Sequence, residues 1–503
     1  MSEQVIKQGH PKGLWVLFGT EMWERFNYYG MRAILVLFMT KAMLFDKVFA
    51  SNLYGSYTSL VYLTPLVGGY IADRYWGNKR SIIVGGLVMA IGEFVLFFCG
   101  TFYKSNPDLS SILFFTGLGL MIAGNGFFKP NISSMVGQLY PKGDRRTDPA
   151  YTIFYMGINV GGAIGPFICG LVGDTGNPAD FRWAFMAGGI GMLISVITQR
   201  LFHDKYVVGP DKKTLGLTPP NTPKRIINPF FIILALMAFS GLTIALLYID
   251  AKVVGYLTYL LIGAVVFIAF VIFGDKTLNK IDKQRVGVIF IVSFFVVFFW
   301  SAFEQAGASL TFFAEEQTQR DLGFFLVPAS FFQSVNSLFI VILAPMFAWL
   351  WIKLGKNEPA SPTKMALGLF LLAIGYLWIA FGVNNVAPGA KVSMIWLVGM
   401  YFFHTCGELC LSPIGLSLVN KLAPFKFASL LMAVWFLANA AANKLAGVLS
   451  GLYPDNKTTS FLGYQMHNLH EFFLLFVGMA GIASLILFLI TKHLQKMMHM
   501  NVE

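Results

Sequence analysis

Apolar residues run along this chain in blocks of roughly 20, long enough as helices to cross about 30 Å of hydrocarbon, with short polar stretches between them. The blocks fall at approximately 14–42, 54–75, 81–100, 111–138, 151–174, 183–202, 229–249, 253–274, 287–314, 328–353, 364–383, 392–419, 427–452 and 470–492, which predicts fourteen membrane-spanning helices. Strand-sized segments of alternating polarity are absent, so an outer-membrane barrel is excluded. The longest polar interruption, 203–228, carries Lys and Pro (Pro210, Pro219, Pro220 and Pro223) and reads as linker. A second basic link runs 275–286. Between the links lie two helices nearly without charge, 229–249 and 253–274, which form a hairpin. Six spans precede it and six follow. The pattern therefore predicts an all-α membrane protein: a six-helix bundle over 1–202, linkers and an inserted hairpin (about 229–274) over 203–286, and a second six-helix bundle over 287–503. The lack of charge on the hairpin suggests a peripheral pair that lines no pathway.

Composition supports the membrane class. Of 503 residues, 56% are hydrophobic and 12% charged, whereas soluble domains carry about 25% charged residues. A net charge of +12 raises the question of a nucleic-acid partner, and its distribution answers it. With the N-terminus placed in the cytoplasm, the loops on that side hold Lys7, Lys12, Arg74, Lys79, Arg80, Lys142, Arg145, Arg146 and the basic residues of 200–225 and 276–285. The other side holds mainly Lys41, Lys47, Lys104, Arg182, Lys252, Arg320, Lys391 and Lys457. This is the positive-inside asymmetry, with both termini cytoplasmic and the basic loops facing anionic lipid rather than nucleic acid. The opening residues do not form a cleavable signal. Cys99, Cys169, Cys406 and Cys410 fall within spans and predict neither a disulfide framework nor a zinc site. Asn456-Lys457-Thr458 matches a glycosylation acceptor, a pattern short enough to arise by chance.

Against this apolar background, charge at membrane depth stands out. Glu21, Glu24, Arg25 and Arg32 sit at i, i+3, i+4 and i+11, which places all four on one helical stripe with Tyr28 among them. Lys129, Glu304 and Glu408 lie inside later spans, with Glu93 and Lys444 at less defined depth. Such groups are costly in hydrocarbon and mark a polar interior. Static pairing is a weak reason to keep them, because desolvation offsets the attraction of a buried pair. Pairs that break and re-form give them a role. A carboxylate that loses its base during a rearrangement accepts a proton, and protonation in turn frees the base. Gly-rich runs at Gly117 to Gly126 and Gly157 to Gly165 let helices approach closely. Two related halves meeting at midplane are where transporters place their substrate.

The ordered motifs Glu21-x-x-Glu24-Arg25-Phe-x-Tyr-Tyr29-Gly30, Gly69-x-x-x-Asp73-Arg74-x-x-Gly77-x-Lys79-Arg80, Phe128-Lys129-Pro130-Asn131, Phe154-Tyr155-x-x-Ile-Asn159-x-Gly161, Trp300-x-x-x-Glu304-Gln305, Asn336 and Gly407-Glu408 resemble the proton-dependent oligopeptide transporter family of the major facilitator superfamily. The two extra helices are similar to those of its bacterial members. The resemblance implies the major facilitator fold and proton-coupled import of di- and tripeptides, with peptide-like drugs as further candidates, across a bacterial inner membrane by a monomer that uses alternating access. It also implies residue roles. Glu21, Glu24, Arg25, Arg32 and Glu304 couple to protons. The pairs Arg32 to Glu304 and Lys129 to Glu408 act as alternating gates. Arg25, Lys129 and Tyr29 read the peptide carboxylate, and Glu408 with Asn159 and Asn336 reads the amine. Tyr62, Tyr155, Trp300 and Trp435 line the side-chain pockets, with Ser412 and Asn439 as weaker candidates. Phe303 stands where some bacterial relatives carry a second acid, so the resemblance sets no proton number.

Other classes fit less well. His404 and Glu408 share a helical face at i, i+4, a zinc-compatible spacing, but no further ligand or nucleophile accompanies them, so His404 is expected to be a packing or cavity residue and no enzyme is predicted. A channel lacks the symmetric pore repeat. No phosphate-cradling loop is present and nothing calls for a metal, nucleotide or haem, so an ion gradient is the expected energy source. The same family includes carriers of nitrate and other small anions, which is the alternative substrate class. Asp73, Arg74, Lys79 and Arg80 are expected to latch helix ends together rather than to touch substrate.

Overall fold

The computed structural model describes residues 9–499 apart from 142, 221, 224, 225, 227, 253, 254, 388 and 456, and excepting the side chains of 413, 414 and 416. Lys7, Lys142 and the Asn456 of the glycosylation pattern lie outside the described residues. Helices dominate. The first part of the chain forms α1 (Lys12–Leu37), α2 (Lys47–Ile71), α3 (Asn78–Phe102), α4 (Pro107–Gln138), α5 (Thr147–Gly173) and α6 (Phe181–Tyr206). The hairpin is α7 (Pro229–Lys252) and α8 (Tyr256–Phe273). There follow α9 (Lys280–Phe303), α10 (Ser309–Glu316), α11 (Phe332–Leu354), α12 (Ser361–Gly382), α13 (Met394–Leu422), α14 (Ala428–Ser450) and α15 (Leu469–Met498). Among the described residues, twelve stretches are long and apolar enough to cross a membrane by themselves. α1 misses that description because of its charges, and α2 because of its Ser, Thr, Tyr and Asn content.

Polar caps fix where helices begin. Asp46, Asn106, Asn279 and Asn468 each accept a hydrogen bond from the amide of the third residue of α2, α4, α9 and α15, at 3.0, 3.1, 2.8 and 2.9 Å, satisfying one of the amides that the first turn leaves open. α1 packs on α5 and α6, and α3 on α4 and α6; in the later part α12 packs on α13 and α15, and α9 on α14 and α15. The two parts meet along α2 with α14 and along α5 with α11. On the first of these seams Gly55 faces Gly447 so closely that a Cβ on Gly55 would stand 2.7 Å from the Cα of Gly447. Only glycine permits that approach.

Two breaks in helix regularity shape the interior. Pro130 in α4 has no N–H to offer the carbonyl of Gly126, and that carbonyl presses on Gly68 of α2, where a side chain would overlap it. Lys129 precedes this break. The chain from α9 to α10 is interrupted by a tight turn at Glu304–Gly307. There the Gln305 amide donates to the carbonyls of Ser301 and Ala446, both at 3.0 Å, and Ser309 Oγ donates to Gln305 Oε1 at 2.5 Å. Side chains thus bond with backbone groups that a break would otherwise strand in an apolar interior.

Some expectations need correction. The segment after α6 has linker composition, yet its first part folds back on the bundle: Lys79 N donates to Gly216 O at 3.0 Å and Thr218 Oγ1 to Trp76 O at 3.2 Å. The helix-end latch is Lys79 with Asp204, 2.5 Å apart, whereas Asp73 is exposed and joins no ion pair among the described residues. The hairpin does carry a buried charge. α7 runs on past 249, so Asp250 lies within it, 2% exposed.

Candidate functional site

The stripe on α1 is buried and connected. Arg25 Nε lies 2.7 Å from Glu21 Oε1 and 3.1 Å from Glu24 Oε2, with Glu24 fully buried and Glu21 and Arg25 nearly so. Asn125 of α4 donates to the other Glu24 oxygen at 3.1 Å. One turn short of the end of α1, Arg32 Nη2 stands 2.6 Å from Glu304 Oε2. The two charges touch without the alignment of a hydrogen bond, and Arg32 Nε has no acceptor. The Tyr29 and Tyr54 rings flank the same guanidinium, at 5.6 and 6.0 Å. Here a cation of the first half meets an acid of the second, held by charge and ring faces rather than by a saturated hydrogen-bond network.

Lys129 and Glu408 are not paired. The Lys129 ammonium sits 4.4 Å from the centroid of the Tyr62 ring, a cation–π contact. It lies within electrostatic reach of Arg25, Glu24, Glu21 and Glu304. Glu408 Oε2 accepts from Asn336 Nδ2 at 3.0 Å, and the same amide reaches Thr405 Oγ1 at 3.0 Å. Among the described residues Glu408 has no basic partner. Tyr29 is within electrostatic reach of Arg25, Arg32, Glu304 and Glu408, and Tyr155 of Glu408 and Tyr29. Tyr29 therefore stands between the basic residues of one half and the acids of the other, and Tyr155 lies on the Glu408 side of it.

The remaining candidates are less connected. Asn159 is near them in sequence but its amide donates to its own helix, to Tyr155 O at 2.9 Å, and does not bond Glu408. Asn439 does the same with Trp435 O at 2.9 Å. Trp435 is buried with its ring over Gly415, and Trp300 packs edge-on against Phe299 and Phe303. Ser412 is half-buried. His404 packs on Tyr376 at 4.8 Å and on Phe303 at 6.0 Å, while Glu408 turns to Asn336, so the two do not form a metal pair. Sequence reasoning passed over Asn125 and Tyr54, although an Asn inside a Gly-rich apolar span is itself a signal. It also left Glu93 without a partner; Asn27 Nδ2 donates to it at 2.9 Å.

The halves close at one end. Every hydrogen bond and ion pair between 12–206 and 280–498 among the described residues lies in the part of the bundle farther from the termini. Beyond Arg32 with Glu304, these include Lys41 with Glu315, Lys47 with Glu316 (2.6 Å) and Asp455 (3.3 Å), Ser51 with Ser450 (3.1 Å), and Ser334 with Ala163 O (2.7 Å). At the end carrying the termini none of these bonds among the described residues joins the halves.

The fold and site define a polytopic helical membrane protein whose two halves enclose ionised groups of both signs and are shut at the far end. The sequence pattern described as the POT family matches residues 79–467, and the chain belongs to that family, whose members are transporters and not enzymes. It is 38% identical to the uncharacterized transporter YclF of Bacillus subtilis, over 92% of this chain and 93% of that protein. It is 36% identical to the peptide transporter YePEPT of Yersinia enterocolitica over 88% of each chain, and 33% identical to a di-/tripeptide transporter of Lactococcus lactis over 97% of each. Among solved structures, a POT peptide transporter in complex with alafosfalin superposes with a TM-score of 0.82 at 33% identity, covering 99% of this chain and 98% of that one. A POT family transporter bound to 5-aminolevulinic acid gives 0.81 at 29% identity, covering 97% and 98%. The chain is therefore an integral multi-pass transporter of the major facilitator type.

One buried acid separates architecture from transport. Glu93 is fully buried on α3 with the Asn27 amide as its partner and no base beside it. Glu93→Gln is expected to leave initial uptake rates within about twofold, because the amide can still accept from Asn27. Glu93→Ala, which opens a cavity and strands that amide, is expected to cost about 2–4 kcal/mol of stability, read as a lowered melting temperature in detergent.

Proposed function

We propose that this protein imports di- and tripeptides together with protons by alternating access, working as a monomer in a bacterial inner membrane with both termini in the cytoplasm. The loops at the termini end carry most of the basic residues, which supports that orientation. The far end is then the outer mouth, and the structure's closure there corresponds to a state facing the cytoplasm.

One observation carries the reading: among the described residues Lys129, near Arg25 on one half, has no ion-pair partner and Glu408 on the other has no base, with Tyr29 within electrostatic reach of both Arg25 and Glu408. A short peptide is a zwitterion whose two ends satisfy both. Arg25 offers a planar fork and Lys129 a point charge for the carboxylate, and Glu408 held by Asn336 offers an acceptor for the amine. Tyr62, Tyr155, Trp300 and Trp435 supply roomy apolar walls. The relative described as a di-/tripeptide transporter, and the solved relatives in complex with alafosfalin and with 5-aminolevulinic acid, support this substrate class.

Protons drive the cycle in this reading, with no other cofactor. Glu304 holds Arg32 while the outer mouth is shut and takes up a proton when it opens. Glu24, between Arg25 and Asn125, exchanges a proton as Arg25 engages the carboxylate, with Glu21 keeping Arg25 oriented. Lys129 and Glu408 approach each other when the inner side closes. The test uses purified protein in liposomes. An inward proton gradient should drive accumulation of dialanine above its equilibrium level, competed by tripeptides and not by nitrate. Competition by nitrate with no response to peptides would assign the chain to the anion carriers of its family instead.

A further inference from the structure

Asp250 joins three parts of the chain at one carboxylate. Its Oδ2 is held by Lys444 Nζ of α14 and by Ser56 Oγ of α2, and Lys444 Nζ also lies 2.8 Å from Ser56 Oγ. The Leu257 amide at the start of α8 donates to Oδ1 at 2.9 Å. The ion-paired side chains are 3% and 1% exposed. A buried pair of this kind is a poor source of stability compared with apolar packing, and the hairpin has such packing elsewhere. α7 lies on the first half, where Thr243 Oγ1 donates to Gly119 O at 2.9 Å and Phe239 and Tyr248 meet Phe127 and Phe115. Toward the second half its attachment is thinner. α8 stands off α9 and α14 over an apolar groove of about 460 Å³ that has Lys444 and Ser293 on its wall.

The place of the clasp gives it a use. It sits on the seam between α2 and α14, beside the Gly55–Gly447 approach and the Ser51–Ser450 bond, toward the same end as Arg32 and Glu304. This is a seam that has to part when the far mouth opens. We propose that Asp250, Lys444 and Ser56 form a second outer gate, in which the inserted hairpin supplies the acid. Closed, it ties the second half to a hairpin seated on the first. On opening, Lys444 leaves with α14 while Asp250 stays with α7. The hairpin is then a working part of the conformational cycle rather than a bystander. This inference rests on the alternating-access reading above, but not on which solute is carried.

The test reads conformation directly, in the full-length protein reconstituted in lipid without peptide or proton gradient. Spin labels at Leu109 and Phe381, exposed positions at the far ends of α4 and α12, report the opening of the far mouth through their distance distribution. Asp250→Asn and Lys444→Met should each raise the far-open population by about tenfold or more, because removing one partner strands the other. The double variant Asp250→Asn/Lys444→Met leaves no charge buried and so remains foldable; it should also shift toward open, while the exchanged pair Asp250→Lys/Lys444→Asp should move back toward the parent. A double variant with the parent's distance distribution would overturn the proposal and leave the clasp as a mere attachment of the hairpin. A shift to open in the single variants alone would overturn it as well, since it would report a stranded charge and not a lost gate.

Discussion

Proteoliposomes carrying Glu304→Gln are expected to lose gradient-driven accumulation of dialanine almost completely, while exchange of labelled for unlabelled peptide persists in part. Glu304 is 3% exposed, and its partner across the halves is Arg32 at 2.6 Å. Gln fills the same space but carries no charge, so it imitates the protonated acid permanently. Breaking a buried ion pair from one side costs about 3–5 kcal/mol, and every 1.4 kcal/mol is about a tenfold change in population. The far-closed state should therefore lose on the order of a hundredfold or more in weight. Exchange requires only that a loaded carrier rock between its two faces. Net accumulation requires the proton to be released as the mouth shuts, and Gln has none to release. Accumulation at the parental level would remove Glu304 from proton coupling.

The second large effect concerns substrate. Glu408→Gln is expected to raise KM for peptides with a free amine by about 10- to 100-fold, with little change for amine-blocked analogues. A hydrogen bond to a charged group is worth about 1.5–3 kcal/mol, and Glu408 is positioned for one by Asn336 at 3.0 Å without a competing base. Asn336 can bond a Gln oxygen equally well, so the position of the side chain is retained and only its charge is lost. Measured as competition against labelled dialanine, an equal loss for both classes of peptide would take the amine-reading role away from Glu408.

Much of this architecture is visible in the order of residues alone, for a physical reason. A charge inside an apolar block is costly wherever the chain folds, so Glu21, Glu24, Arg25, Arg32, Lys129, Glu304 and Glu408 announce a polar interior before any contact is known. Spans are legible for the same reason, and the long helices follow the apolar blocks closely. What stays hidden is pairing across long separations. Nothing local says that Lys444 will find Asp250, 194 positions away, and the apolar block that ends at 249 gives no sign that α7 continues through Asp250. Asn125 is unremarkable until α4 is laid beside α1 and its amide meets Glu24. Likewise the break after Phe303 appears in sequence only as Gln305 and Gly307 near an acid, whereas in the fold it places Glu304 opposite Arg32. The state of the gates is not written in the chain at all, because the same residues serve both faces.

The meeting of Gly55 and Gly447 has a mechanical consequence. Where these two helices cross at Gly55 and Gly447 no side chain has to be lifted out of the other helix, so the crossing itself offers little steric resistance to one rod rolling on the other. A rocker resting on so smooth a bearing needs its clasps to hold it still, and the timing of each swing passes from packing to whatever charges are made or cancelled around it.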